Sequence, residues 1–72
     1  MKPITHRQRV TLQAIIKLTD NHGYPPTVRE ISEEIGSASS STTHGLLDKL
    51  EEKGYIKRQG HTPRAIKVLR RA

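Results

Sequence analysis

The chain has 72 residues, of which 32% are hydrophobic, and it contains no Phe or Trp, so we expect one small domain with an aliphatic core. The absence of cysteine excludes a disulfide framework and thiolate chemistry, and no apolar run approaches the ~20 residues of a membrane span. A formal net charge of +6 with a pI near 10.2 favours a polyanionic partner, and we expect a cytoplasmic protein because no secretory segment follows Met1.

A first helix is predicted from about residue 6 to residue 21. Thr5 and Gln8 have the spacing of a capping box at its start, and Gly23 can end it. Between them, side chains that can face a core recur at helical spacing: Leu12, Ile15, Ile16 and Thr19. Arg7 lies in the first turn, where it could bind phosphate or remain solvated, and the sequence leaves both interpretations open.

Residues 27–54 predict two further helices joined by a tight corner, which is a helix-turn-helix. Thr27 and Glu30 form a second capping box, and Gly36 can end the first of the two helices in a left-handed conformation. Ser39, or a serine after it, is expected to cap the second helix. The inward faces carry Val28, Ile31 and Ile35 on one helix and Thr43, Leu46, Leu47 and Leu50 on the other.

The second of these helices, at about residues 39–53, presents small, neutral, hydrogen-bonding groups outward at its N-terminal end. They are Ser39, Ser40, Ser41, Thr42, His44 and Gly45. Such a helix can enter a DNA major groove, about 12 Å wide, and bond phosphates or base edges. Gly45 costs a helix ~1 kcal/mol relative to Ala, which favours a close approach of DNA there. Capping and plain solvation are the alternative roles for the polar residues, and a glycine that the helix merely tolerates is the alternative for Gly45.

After Gly54 the pattern changes to two short strands, at about residues 55–58 and 65–69, around a basic tip at about residues 59–64. We predict a mainly α fold with a small β-hairpin: a winged helix-turn-helix spanning residues 1–72, with three helices and a two-stranded antiparallel wing. Arg64 in the tip could lie on the DNA backbone or in the minor groove, or be solvated. Weaker phosphate candidates are Lys53, Lys57 and Arg58.

Charge is distributed unevenly along the chain. Residues 1–26 carry four basic and one acidic side chain, residues 27–53 carry three basic and six acidic, and residues 54–72 carry six basic and none acidic. The flanks could therefore hold a polyanion while the neutral helix reads it.

Catalysis has little support in the sequence. The four histidines have no metal-ligand spacing, and no glycine-rich phosphate loop is present. We therefore predict no enzyme activity, no metal, no cofactor and no small-molecule ligand.

The segments GYPPTVREI, ASSST, HG, KG and PRAI, in this order and spacing, closely resemble the N-terminal DNA-binding domain of LexA repressors of the Gram-positive type. The resemblance covers nearly the whole chain. It implies a winged fold, a palindromic operator in promoters of the DNA-damage (SOS) response, and a location at the bacterial nucleoid. Departures from the enterobacterial pattern at residues 40–45 leave the operator sequence open.

LexA proteins also carry a second domain, which cleaves itself through a serine and a lysine and supplies most of the dimerisation. That domain has no counterpart in these 72 residues, so we expect no self-cleavage by that route. We also expect two copies on a full operator. A truncated repressor, a cleavage fragment and a complete small regulator all remain compatible with the sequence.

Two other functions compete with DNA reading. A winged helix can serve as a protein-interaction adaptor, and the fold alone does not decide. An adaptor should spread hydrophobic residues over the outward face of the last helix, whereas this chain has serines, threonine, histidine and glycine there. Recognition of RNA or of a left-handed duplex by the same helix and wing is a more distant alternative.

Overall fold

A computed structural model describes residues 3–59 and 66–71. The elements follow in chain order as three helices and a pair of strands: α1 (His6–His22), α2 (Val28–Ile35), α3 (Ser40–Glu52), β1 (Ile56–Arg58) and β2 (Ile66–Val68). The predicted mainly α fold with a two-stranded antiparallel hairpin is confirmed. Within the described residues, no helix is long and apolar enough to cross a membrane.

Both predicted capping boxes are present. The Gln8 N–H donates to Thr5 Oγ1 at 3.2 Å, and the Thr5 N–H donates to Gln8 Oε1 at 3.1 Å. At α2 the corresponding distances, between Thr27 and Glu30, are 3.2 and 2.7 Å. Each pair satisfies two amides that the helix cannot satisfy itself, so the starts of α1 and α2 are fixed by residues three apart.

Glycines end the first two helices. Gly23 and Gly36 have φ of +77° and +73°, in the left-handed region where a side chain is strained. α1 continues one residue beyond its predicted end, to His22. Gly36 has the larger effect on the helix-turn-helix, because it turns the chain from α2 into the corner before α3.

The core is aliphatic, as predicted, except for one tyrosine. Its buried members are Leu12, Ile15, Ile31, Leu47, Leu50, Tyr55, Ile56 and Ile66, and Ile4, Ile16, Leu18, Val28, Ile35 and Val68 pack around them half-buried. Leu46 was predicted to join this core but lies half-buried outside the cluster. Tyr55 was not predicted to belong to it. Its backbone carbonyl accepts hydrogen bonds from the Leu69 and Arg70 amides, which holds the chain after β2 against it.

The hairpin pairs Ile56 with Val68, Lys57 with Lys67 and Arg58 with Ile66. Ile56 and Ile66 are buried against the helices, while the two lysines are exposed. The strands are shorter than predicted, with three residues each. Most of the predicted tip, residues 60–64, lies outside the described residues, and Arg64 with it.

Candidate nucleic-acid interface

The two helices of the helix-turn-helix are joined by a buried polar contact. Ser32 Oγ on α2 and Thr43 Oγ1 on α3 lie 2.6 Å apart, and both residues are buried. A buried hydroxyl without a partner costs about 1–3 kcal/mol, so each side chain needs the other. The contact therefore favours one placement of α3 against α2.

The corner is organised by Ser37. Its hydroxyl donates to the Ser39 carbonyl at 2.9 Å and accepts from the Ser39 N–H at 3.3 Å. Ser39 occupies the N-cap position of α3, as one of the predicted alternatives had it, but its side chain makes no capping hydrogen bond. The first-turn amides of α3 thus have no side-chain partner in the part of the chain that the structure describes, and such amides attract phosphate.

All six residues predicted for the outward end of α3 are exposed, and they lie in one stretch from the N-cap through the second turn: Ser39, Ser40, Ser41, Thr42, His44 and Gly45. A methyl group built at Gly45 would meet nothing within 4 Å. The fold itself therefore does not require a glycine there. What Gly45 provides is open space on the outer surface of the helix.

Arg29 belongs to the same surface and was not singled out from the sequence. It lines a shallow cleft between α2 and α3 together with Ser37, Ser40 and His44. It is exposed and has no ion pair among the described residues. Its position in the first turn of α2, the capped helix before the corner, was the sequence feature that could have indicated a role in the interface.

Arg7 lies near the corner as well. It lines a groove on the α1 side, together with Ile35, Gly36 and Leu46. Its guanidinium has no ion pair among the described residues. The fold therefore places unpaired cations on two sides of the helix-turn-helix, Arg29 on α2 and Arg7 on α1.

Lys53 lies at the opposite end of α3, about 20 Å from Ser40 along the helix axis. Its Nζ donates to the Pro3 carbonyl at 2.8 Å and to Gln8 Oε1 at 2.7 Å. Lys53 thus fastens the end of α3 to the start of α1, so two of its three N–H groups already have partners within the fold.

Arg58 also binds within the fold. Its guanidinium contacts Asp48 and lies 3.1 Å from Glu51 Oε1, and its backbone N–H donates to Glu51 Oε2 at 3.0 Å. The backbone hydrogen bond, followed by the guanidinium contact, lowers the pKa of Glu51 from its ordinary value of 4.5. These contacts hold β1 against the outer flank of α3.

We expect acid to loosen this attachment. Because the pKa of Glu51 is lower in the folded than in the unfolded chain, its stabilising effect is present above the ordinary value of 4.5 and is lost as pH falls through the folded pKa. Glu51→Gln should melt lower than the wild type near neutral pH, and it should lose less melting temperature on acidification to about pH 3. Glu33→Gln is the matched control, since Glu33 is exposed and has no ion pair among the described residues. Parallel acid profiles for Glu51→Gln and the wild type would contradict the expectation.

Three helices, an antiparallel hairpin beside the third helix, and a neutral, exposed N-terminal end on that helix define a winged helix-turn-helix of the DNA-binding class. The family model described as "LexA DNA binding domain" matches residues 1–65. The chain belongs to this family.

Curated relatives agree with this assignment. The chain is 54% identical to the LexA repressor of Pelotomaculum thermopropionicum over 66 residues, which are 92% of this chain and 32% of that protein. It is 52% identical to the LexA repressor of Staphylococcus epidermidis and 51% identical to that of Staphylococcus aureus, each over 69 residues. Those alignments cover 96% of this chain and 34% and 33% of the relatives. The chain therefore spans about a third of the length of the curated relatives it matches, and the part matched by the family model is the DNA-binding domain.

Proposed function

We propose that residues 1–72 form the operator-reading domain of a LexA-type transcriptional repressor. The observation that carries the proposal is the exposed N-terminal end of α3, which has no side-chain cap hydrogen bond and carries serines, Thr42 and His44. It lies between Arg7 and Arg29, two cations without an ion pair among the described residues. The hydroxyls and the imidazole of this surface can form hydrogen bonds with the base edges of a duplex, and its arginines can bind the phosphates.

In the proposed complex, α3 enters the major groove with its N-terminal end first. His44 and Thr42 meet base edges, Ser40 and Ser41 with the first-turn amides bind a phosphate, and the absent side chain of Gly45 lets the groove wall approach. Arg7 and Arg29 then bind phosphates on the two sides of the groove, and a phosphate contact by Lys53 would use its third N–H. Arg64 is proposed to bind the backbone or the minor groove.

An adaptor role fits this surface poorly. Among the described residues, the large hydrophobics that are exposed are Val10, Tyr24 and Leu69, and none of them lies on α3. A protein-docking face needs contiguous apolar area, and the α3 surface offers hydroxyls and an imidazole instead.

Two copies are proposed to occupy a palindromic operator in promoters of DNA-damage-response genes at the bacterial nucleoid. Helix-turn-helix proteins place two recognition helices about 34 Å apart on a two-fold site. Most of the apolar residues that the structure describes pack in or around the core, and an obligate dimer usually buries roughly 2,000 Å² or more. The free chain should therefore be monomeric, and each half of the operator should bind one copy.

Selection of a duplex followed by titration tests the proposal. Duplexes with a randomised centre are selected on the immobilised chain, and the enriched duplex, its half-site and a scrambled version are titrated at several salt concentrations. We expect an inverted repeat that binds at least about 1,000-fold tighter than the scrambled duplex. Binding to every duplex should weaken steeply with salt. Equal affinity for selected and scrambled duplexes would refute sequence-specific reading, and a dimer of the free chain in sedimentation would refute the proposed assembly.

A further inference from the structure

The outer face of the hairpin carries two lysines directly opposite each other. Lys57 on β1 pairs with Lys67 on β2, and both side chains are exposed. Neither has an ion pair or a side-chain hydrogen bond among the described residues. Like charges directly opposite each other on a sheet are destabilising, so repulsion between these two lysines lowers the stability of the free protein.

The third cation of these strands is treated differently. Arg58 follows Lys57 on β1 and points to the other face of the sheet. It is half-buried and forms ion pairs with Asp48 and Glu51 on α3. Residues 54–72 contain no acidic side chain that could do the same for the lysines. Among the described residues, the strands therefore have one face where the positive charge is neutralised within the fold and one face where it is not.

The hairpin also lies beside the surface proposed to read DNA. Arg58 contacts Asp48, which lies one helical turn beyond His44 on α3. A duplex with α3 in its major groove would carry the adjoining phosphate backbone past the flank where β1 is attached. The anion that would reach the hairpin in such a complex is a phosphodiester of the DNA backbone.

We propose that Lys57 and Lys67 together form a phosphate-binding site on the strands of the hairpin, which engages the duplex backbone beside the groove that α3 enters. The inference rests on the proposed function and adds a contact separate from the base-reading end of α3 and from the hairpin tip. Opposite residues of antiparallel strands have Cα atoms about 4.5–5.5 Å apart, and the phosphates of one DNA strand advance about 3.4 Å each along the axis. The two ammonium groups therefore bind two neighbouring phosphates, and binding removes the repulsion present in the free protein.

Lysines on edge strands also discourage strand pairing between molecules. That role is served by a charge of either sign, whereas phosphate binding requires positive charge at both positions. Reversing one charge separates the two roles.

Lys57→Glu is the decisive variant, because it should change stability and binding in opposite directions. A glutamate at this position faces Lys67 and turns a repulsive pair into an attractive one, so we expect the melting temperature to rise by about 1–8 °C. The variant lacks the Lys57 ammonium group, and the Lys67 ammonium group is paired with the new glutamate, so neither binds the duplex. Affinity should therefore fall at least about tenfold at low salt. The slope of log affinity against log salt should become shallower by about 1.8, which corresponds to two phosphate contacts. Selected and scrambled duplexes should weaken by the same factor, because phosphate contacts carry no sequence information.

A matched pair of variants controls for net charge. Lys57→Gln and Gln13→Glu each make the chain more negative by one charge, and Gln13 is exposed on α1. We expect Lys57→Gln to reduce the salt slope by about 0.9 and Gln13→Glu to leave it nearly unchanged. Equal effects of the two would overturn the proposal.

The remaining outcomes separate this inference from the proposed function. If Lys57→Glu melts higher but keeps the wild-type affinity and salt slope, the lysine site is wrong, and the preference of the wild type for the selected duplex still supports operator reading. If the wild type has no such preference but Lys57→Glu loses affinity for every duplex, operator reading is wrong and the lysine site stands.

Discussion

Leu47→Ala is expected to destabilise the fold by about 2–5 kcal/mol, because Leu47 is fully buried in the core on the inner face of α3. A domain of this size has a free energy of unfolding toward the lower end of the usual 5–15 kcal/mol. Each kcal/mol corresponds to about 4–8 °C in melting temperature, so the variant should melt roughly 10–40 °C lower. Thermal and urea unfolding followed by circular dichroism measure the change.

Leu46→Ala provides the control. The two leucines are adjacent on the same helix and lose the same atoms, but Leu46 is half-buried beside Arg7 and outside the buried cluster. Its truncation leaves no enclosed cavity, so the loss should be well under half of that for Leu47→Ala. Equal losses for the two variants would mean that the core extends across both positions.

His44→Ala is expected to reduce discrimination between the selected and scrambled duplexes by about 1–3 kcal/mol, roughly 5- to 150-fold. The imidazole is exposed in the second turn of α3, where a helix in the major groove meets base edges. Affinity for the scrambled duplex should change little, because that binding depends on phosphates. The ratio of the two dissociation constants, measured at one salt concentration, reports the effect.

His22→Ala is the matched histidine variant. His22 is also exposed, but it lies at the end of α1 and stacks on Tyr24, with 5.4 Å between the ring centroids. It should leave the ratio of dissociation constants unchanged. A His44→Ala protein with wild-type discrimination would remove the imidazole from the base-reading set. A uniform loss for both duplexes would make His44 a phosphate contact.

Local signals predicted the framework of this fold well. The capping boxes at Thr5 and Thr27 and the glycine ends at Gly23 and Gly36 depend on residues three or four apart, and the structure confirms each of them. Helical spacing likewise predicted which face of each helix turns inward. It did not predict depth, because a residue at the edge of an apolar stripe is buried only if a neighbouring element covers it. Leu46 is such a case, since the groove beside Arg7 leaves it half open.

Contacts between distant residues could not be predicted in this way. Lys53 reaches Gln8, 45 residues earlier, and Arg58 reaches Asp48 across the junction of helix and strand. In the sequence both are simply cations in a basic chain. The Ser37 hydroxyl bonds the Ser39 backbone because the turn after Gly36 brings the two within reach, and residue types alone do not predict this contact. The contact role of each DNA-facing residue stays a prediction, and Arg64 lies outside the described residues.

The buried contact between Ser32 and Thr43 restricts how this chain can vary over generations. Removing either hydroxyl alone leaves the other buried without a hydrogen-bond partner, which costs about 1–3 kcal/mol of folding stability. Replacing both with apolar groups of similar shape is nearly neutral. A hydroxyl pair and an apolar pair are thus both acceptable at positions 32 and 43, but each single substitution between them is unfavourable. Substitutions at positions 32 and 43 are therefore expected to occur together, because a change at one position favours a compensating change at the other. The packing of α2 against α3 is in this sense inherited through two residues at once.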